Sequence, residues 1–226
     1  MKDRAKHKEI MYSLLDCIVA KHSDNFILKG GTALMRCYGL DRFSEDIDFD
    51  GKRLSANIAR TIRDFCNENN YSCNESKDIR LVRRFKIHYD NLNINDDLLK
   101  IEVSYRQKQI PERLYQFKKG VYVYTIDELC LLKAQAYHGR DRLRDMYDLC
   151  FIYEHYSSFL SESTIRYVTE AMGEKGLEQL DYLVKDLGQH DKLIDEDKLA
   201  DMFLSTMYKL GQLDDIPEQV NDGYGY

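Results

Sequence analysis

Apolar residues return every third or fourth position through residues 3–22, at Ile10, Met11, Leu14, Cys17 and Ile18, and again through 54–69, at Ile58, Ile62 and Phe65. That period predicts two helices with one apolar face each. Between them the pattern changes. Residues 26–28 are uniformly apolar, Gly30 and Gly31 interrupt them, and Thr32 opens a run of good helix formers, so a buried strand, a tight turn and a helix start are expected in succession. Ile47 and Phe49 then alternate with Asp46, Asp48 and Asp50, the period of a strand that carries all three carboxylates on one face. Further strands are predicted at 71–77, 79–89 and 98–105, with turn-forming residues at 91–97.

From Thr125 the period is helical to near the end. Thr125 and Glu128 have capping-box spacing, a second helix is expected from Arg140, and others at 161–172, 174–188 and 191–210, before a loosely anchored tail from 211. The expected fold class is therefore α+β. A mixed sheet flanked by helices occupies residues 1–124, and a helical bundle occupies 125–226.

Composition narrows the function classes. No window of about 18 apolar residues is present to span a bilayer, and the first residues lack the apolar run of a secretory signal, so a cytoplasmic protein with no membrane partner is expected. The six cysteines form no C-x-x-C pair, which argues against a zinc site and a disulfide framework and for free thiols. The net charge of −6 is no signature of a nucleic-acid binder, but it is unevenly spread. Between residues 77 and 119 Lys and Arg outnumber Asp and Glu eleven to six, whereas from residue 154 onward the acids lead sixteen to six. The middle of the chain can meet a polyanion, or can simply be a solvated face.

The candidate chemistry lies in the glycine turn and the acidic strand. Backbone N–H groups clustered at a helix start attract phosphate. Adjacent carboxylates repel, so Asp46 and Asp48 make most sense with a divalent cation between them. Glu102 alternates with Leu99, Ile101 and Val103 and points away from the core; it is an ordinary exposed residue, or a third carboxylate if its strand lies beside the acidic one. Lys133 falls on the apolar seam of its helix, where it either snorkels or meets a phosphate. In the next helix Asp141, Arg144, Asp145 and Asp148 are expected opposite the packed side, paired with one another at spacings of three and four. Asp46 to Gly51 also matches the opening of a calcium loop, but its twelfth position is Asn57 where a bidentate Glu is needed. The glycine turn fits neither the Walker A pattern nor G-x-G-x-x-G.

Lys29-Gly-Gly-Thr-Ala-Leu34, followed by Arg42-Phe-Ser-Glu-Asp-Ile-Asp-Phe49, resembles the signature of the AbiEii/AbiGii group of nucleotidyltransferase-like toxins, within the DNA polymerase beta-like nucleotidyltransferase superfamily. Leu99-Lys-Ile-Glu-Val-Ser104 resembles that family's third-carboxylate strand. Glu128-Leu-Cys-Leu-Leu-Lys133, with Arg140 and Arg144-Asp-Met-Tyr-Asp-Leu149, resembles its helical motif. The resemblance implies a nucleotidyltransferase-type sheet, with Gly30, Gly31, Thr32 and Ser44 on the triphosphate of a bound nucleoside triphosphate. It implies Asp46, Asp48 and Glu102 as catalytic residues on magnesium or manganese, and Lys133 and Asp145 as helical residues that assist catalysis or nucleotide binding. Two departures stand out: the third carboxylate is Glu where Asp is common, and the C-terminal region carries no alignable motif.

The expected function is transfer of a nucleoside monophosphate to an acceptor, with the transfer RNA 3′ end as one candidate, by a bacterial toxin paired with an antitoxin. The alternatives are a non-catalytic nucleotide- or RNA-binding module of the same fold, and nucleotidylation of a small molecule or protein.

Overall fold

The computed structural model describes residues 3–79, 81–89, 98–107 and 109–213. It contains two compact units that divide at Leu129 and Cys130. The turn expected at 91–97 and the tail from 214 onward lie outside the described residues.

The first unit is built on a seven-stranded mixed sheet. Its strands are β1 (Phe26–Lys29), β2 (Asp46–Gly51), β3 (Ser72–Ile79), β4 (Val82–His88), β5 (Leu98–Ser104), β6 (Tyr115–Lys118) and β7 (Val121–Tyr124), in the spatial order β3-β4-β5-β2-β1-β7-β6. β2 runs parallel to β5 and β1 parallel to β7, while the other neighbours are antiparallel. Helices α1 (Arg4–His22), α2 (Gly30–Tyr38) and α3 (Ile58–Glu68) pack with this sheet, and α1 packs with α3.

One face of the central strands is apolar: Phe26 and Leu28 of β1, Ile47 and Phe49 of β2, and Ile101 and Val103 of β5 are all buried. The edge-to-face pairs His22–Phe26 and Phe26–Phe49 tie the end of α1 to that face. α1 and α3 each have a side-chain start signal. Asp3 accepts the backbone N–H groups of Ala5 and Lys6, and Asn57 accepts that of Arg60. Asn57 is thus a helix cap, and Asp46 to Gly51 is strand paired on both sides, so the calcium-loop alternative is excluded.

The hairpin β6–β7 was not expected from the sequence. Lys119 (φ 47°) and Gly120 (φ 79°) form its two-residue turn, and both have the positive φ that matches the twist of the flanking strands. The capping box at Thr125 is half made. The Thr125 hydroxyl accepts the Glu128 N–H at 3.3 Å, but the Thr125 N–H donates to the Leu114 carbonyl at 2.8 Å instead of to the Glu128 carboxylate.

The second unit contains the remainder of α4 (Ile126–Gly139), then α5 (Leu143–Tyr156), α6 (Glu162–Lys175), a short α7 (Gln179–Asp181) continued by a π turn at Tyr182–Asp186, and α8 (Glu196–Lys209). α5 is its centre. Asp145 to Tyr153 are buried without a break, so this helix is enclosed on every side and not amphipathic as expected.

All six cysteines are free thiols; Cys37, Cys66, Cys130 and Cys150 are buried, and Cys17 and Cys73 partly exposed. Burial pushes the Cys37 thiol up to about 11 and Cys150 to about 12, and burial beside Cys73 pushes Cys66 up to about 12. The thiolate is the reactive form. At pH 8 a thiol-specific chromogenic reagent should therefore modify Cys17 and Cys73 at most in the native protein, and the other four only after denaturation. Rapid native modification of Cys150 would show that α5 is not enclosed as described.

Candidate functional site

β1 ends at Lys29 and the chain turns directly into α2 through Gly30, at φ 73°. A side chain on Gly30 would lie 2.8 Å from Asp48 Oδ2, and one on Gly31 would lie 2.8 Å from Ser44 Oγ and 3.0 Å from Arg42 Nη2. The double glycine therefore lets the start of α2 rest directly against β2. No side chain caps α2, so its first N–H groups form an anion-ready end beside the acidic strand.

Thr32 braces this junction. Its fully buried hydroxyl donates to the Asp46 carbonyl and lies 3.0 Å from Ser44 Oγ. The side chain is committed to the strand, which leaves only the Thr32 backbone N–H for an anion. Arg42, quoted in the motif without a role, is buried behind Gly31 and donates to the Phe43 carbonyl.

The register of the sheet places the acidic residues. Asp46 is opposite Lys100, Asp48 opposite Glu102 and Asp50 opposite Ser104; on the other side Lys29 is opposite Asp48. Glu102 therefore shares a face with Asp46 and Asp48, on the adjacent strand. Asp50 shares the face but is buried, accepting from Lys29 Nζ at 2.6 Å and from the Tyr124 hydroxyl at 2.8 Å. Burial, together with the Asp50 charge, raises the Tyr124 phenol well above its ordinary range, so it stays a donor. Asp50 thus anchors Lys29 at the mouth of the glycine turn.

Glu102 pairs with Arg84 of β4, which is opposite it in register on the side away from Asp48. Asp46, Asp48, Glu102, Arg84, Lys86 and Lys100 line one cleft. Among the described residues, no three or more His, Cys, Asp or Glu side chains are gathered so as to hold a metal ion. The expected ring of three carboxylates is not assembled here, and the reason is electrostatic: Glu102 has a like charge on one side and a guanidinium on the other.

The donor chemistry still suits a hard divalent cation. Such an ion of magnesium's size commonly takes one or two carboxylates and completes its shell with water and substrate phosphate. Asp46 and Asp48, half-buried beside an uncapped helix start, are the two in a position to do so.

The helical motif is an ion-pair cluster within the second unit. Lys133 Nζ lies 2.5 Å from Asp148 Oδ2 and 3.6 Å from Asp145 Oδ1, and Arg140 grips Asp145 through two bonds of 2.6 and 3.0 Å. Among the described residues the anions that meet Lys133 are Asp148 and, farther off, Asp145. Arg144 also reaches out of the helix to Asp191, and Asp141 to Lys175 and Gln179.

Lys29 and Arg84 are the residues that sequence reasoning passed over. Arg84 and Lys86 alternate with buried Phe85 and Ile87, so the strand period carries the signal for their face. Lys29 ends an otherwise apolar strand beside a glycine turn, and only its partner on β2 shows its use.

Comparisons with known proteins bear on the family and the fold. A family profile for the nucleotidyl transferase AbiEii toxin of type IV toxin–antitoxin systems matches residues 13–218. Among solved structures, JHP933 from Helicobacter pylori is 25% identical, with a TM-score of 0.73 over 94% of this chain and 95% of that one. A second H. pylori protein, named only as a candidate nucleotidyltransferase, is 25% identical with a TM-score of 0.72 over 95% and 99%. MenT4, a nucleotidyltransferase toxin from Mycobacterium tuberculosis H37Rv, is 18% identical with a TM-score of 0.54 over 94% and 85%, and shares the fold. A search of curated protein sequences finds no match. No helix among the described residues is long and apolar enough to cross a membrane. The chain belongs to the AbiEii nucleotidyl transferase toxin family.

Proposed function

We propose that this nucleotidyltransferase moves a nucleoside monophosphate from a nucleoside triphosphate onto an acceptor hydroxyl, with Asp46 and Asp48 holding magnesium or manganese. The observation that carries the reading is the approach of Gly30 to Asp48, which puts an uncapped helix start and a carboxylate pair at one place. Asp46 and Asp48 would hold the cation, which would supply positive charge to offset the charge that develops on the leaving pyrophosphate. The protein's own part is positioning. The N–H groups of Gly30, Gly31 and Thr32 receive the phosphates, Ser44 lies behind them, and Lys29, held by Asp50, adds positive charge at the turn.

In the transfer the acceptor oxygen bonds to the α-phosphorus as the bond to pyrophosphate breaks, and the hydroxyl proton leaves to a base. Glu102 is our assignment for that base and for the third ligand. Lys133 and Asp145 enter the proposal through the family resemblance, as an ion-paired helical motif that supports nucleotide binding.

The acceptor we favour is the 3′ hydroxyl of an RNA, a transfer RNA first, because Lys86 and Lys100 line the same cleft and suit a phosphate backbone. An antitoxin partner and a cytoplasmic setting complete the reading. Purified protein incubated with each labelled triphosphate, magnesium and total RNA tests it. Label in RNA that disappears in Asp46→Ala and Asp48→Ala chains is the expected result. Label only in protein or small molecules redirects the acceptor, bound but untransferred nucleotide favours a binding module, and full incorporation by both variants removes the mechanism.

A further inference from the structure

Building on the assignment of Asp46 and Asp48 to the cation, we propose that Arg84 decides when Glu102 joins them. Its guanidinium holds the carboxylate on the β4 side, and the triphosphate of the incoming nucleotide releases Glu102 by taking the guanidinium for itself.

Three observations carry this. The first is register: Asp48, Glu102 and Arg84 stand in one row across β2, β5 and β4, so Glu102 has an acid on one side and a base on the other. With both neighbours within reach of one side chain, its direction is set by whichever side is more positive. In the structure Glu102 is held on the β4 side, where Arg84 Nε donates to Glu102 Oε2. The second is exposure. The Arg84 side chain is 49% exposed and that of Glu102 32% exposed, so their pair is a screened surface contact that exchanges at little cost. The third is the shared cleft, lined by both residues and by Asp46, Asp48, Lys86 and Lys100. An anion entering it meets three cationic side chains on the β4 and β5 side, and a guanidinium is well shaped to grip phosphate with two parallel bonds.

Nucleotide and cation then act in the same direction. The phosphates draw Arg84 off Glu102, and the positive charge arriving at Asp46 and Asp48 turns Glu102 the other way. Arg84 is in this sense a positioning residue that couples nucleotide binding to completion of the site. If Arg84 and Glu102 are merely a cross-strand pair that steadies the sheet, metal affinity will not depend on their interaction.

The test is Mn²⁺ binding to the full chain, followed by the paramagnetic resonance signal of the free ion, for wild type, Arg84→Met, Arg84→Lys, Glu102→Gln and the Arg84→Met/Glu102→Gln double variant. Without nucleotide, Arg84→Met should bind Mn²⁺ about tenfold more tightly than wild type, the scale of changes around metal ligands. Arg84→Lys, which keeps a cation, should fall between them. The gain should vanish in the Glu102→Gln background, and a non-hydrolysable triphosphate should bring wild type up to Arg84→Met. Unchanged or weaker binding by Arg84→Met, or a gain that survives Glu102→Gln, overturns the proposal. Asp46→Asn/Asp48→Asn separates the two layers. Undiminished Mn²⁺ binding there sinks the underlying site assignment, whereas its loss alongside an inert Arg84→Met sinks only the role of Arg84.

Discussion

A Gly30→Ala chain is expected to fold, to lose modest stability and to lose nearly all nucleotidyl transfer. Gly30 sits at φ 73°, so any L side chain costs about 1–2 kcal/mol in backbone conformation alone. That strain is not specific to the site, and Gly39, at φ 78° at the other end of α2, provides its control. A side chain on Gly39 meets nothing within 4 Å, whereas one on Gly30 lies 2.8 Å from Asp48 Oδ2.

The two alanine variants should thus show similar falls in melting temperature and different activities. In Gly30→Ala the Asp48 carboxylate has to swing off its position or the start of α2 has to back away, and either change pulls apart the cation site and the phosphate amides. Displacement on the order of 1 Å costs about 100-fold in rate for a positioned reaction. Thermal melts of both variants, with incorporation of labelled triphosphate, check the comparison. Near-normal transfer by Gly30→Ala, or an equal loss in Gly39→Ala, would mean that the contact with Asp48 does not matter.

The same residues show how far the sequence can be read. The alternation Asp46-Ile-Asp-Phe-Asp50 is legible as a strand with an acidic face because the period of two is a local property of the backbone. Leu98–Ser104 is legible for the same reason, and the parallel register then brings Glu102 opposite Asp48. What each carboxylate does on that face is not local. Asp50 looks like its neighbours in the sequence, yet burial and the hydroxyl of Tyr124, on a strand it does not adjoin, make it an anchor for Lys29. Glu102 faces the right way and still turns to Arg84, a preference set by a strand read only as basic and apolar.

β6 and β7 escape notice because their strands are four residues long and their turn uses Lys119-Gly120, where asparagine or aspartate before glycine would have announced a hairpin. The half-made capping box has a similar cause. Its second donor is drawn away by Leu114, eleven residues upstream and invisible to a four-residue motif. α5 misleads most, since Asp145 and Asp148 suggest a solvated side in any one-dimensional view. Their burial is offset by Lys133 and Arg140, supplied by the preceding helix and the loop after it.

That burial makes Lys133→Met the variant with the largest expected effect on folding. Asp148 is 0% exposed and Asp145 3%, and the Lys133 ammonium lies against both. Arg140 continues to hold Asp145 in the variant, but a fully buried Asp148 loses its ammonium. Breaking a buried pair from one side destabilises by about 3–5 kcal/mol, whereas exchanging both partners for apolar residues of similar volume is close to neutral. Lys133→Met should therefore melt far below wild type, and Lys133→Met/Asp148→Leu should recover most of the loss.

The double variant separates two roles that the single one confounds. If Lys133 serves only to hold α4 against α5, the rescued protein transfers nucleotide normally. If it also supports the bound nucleotide, as the family motif implies and as we expect, the rescued protein is stable and still inactive. Its affinity for triphosphate, measured apart from turnover, should then be weakened as well. A Lys133→Met chain as stable as wild type would show instead that the ammonium contributes little to keeping Asp148 buried, and the scaffold role assigned to this cluster would fall.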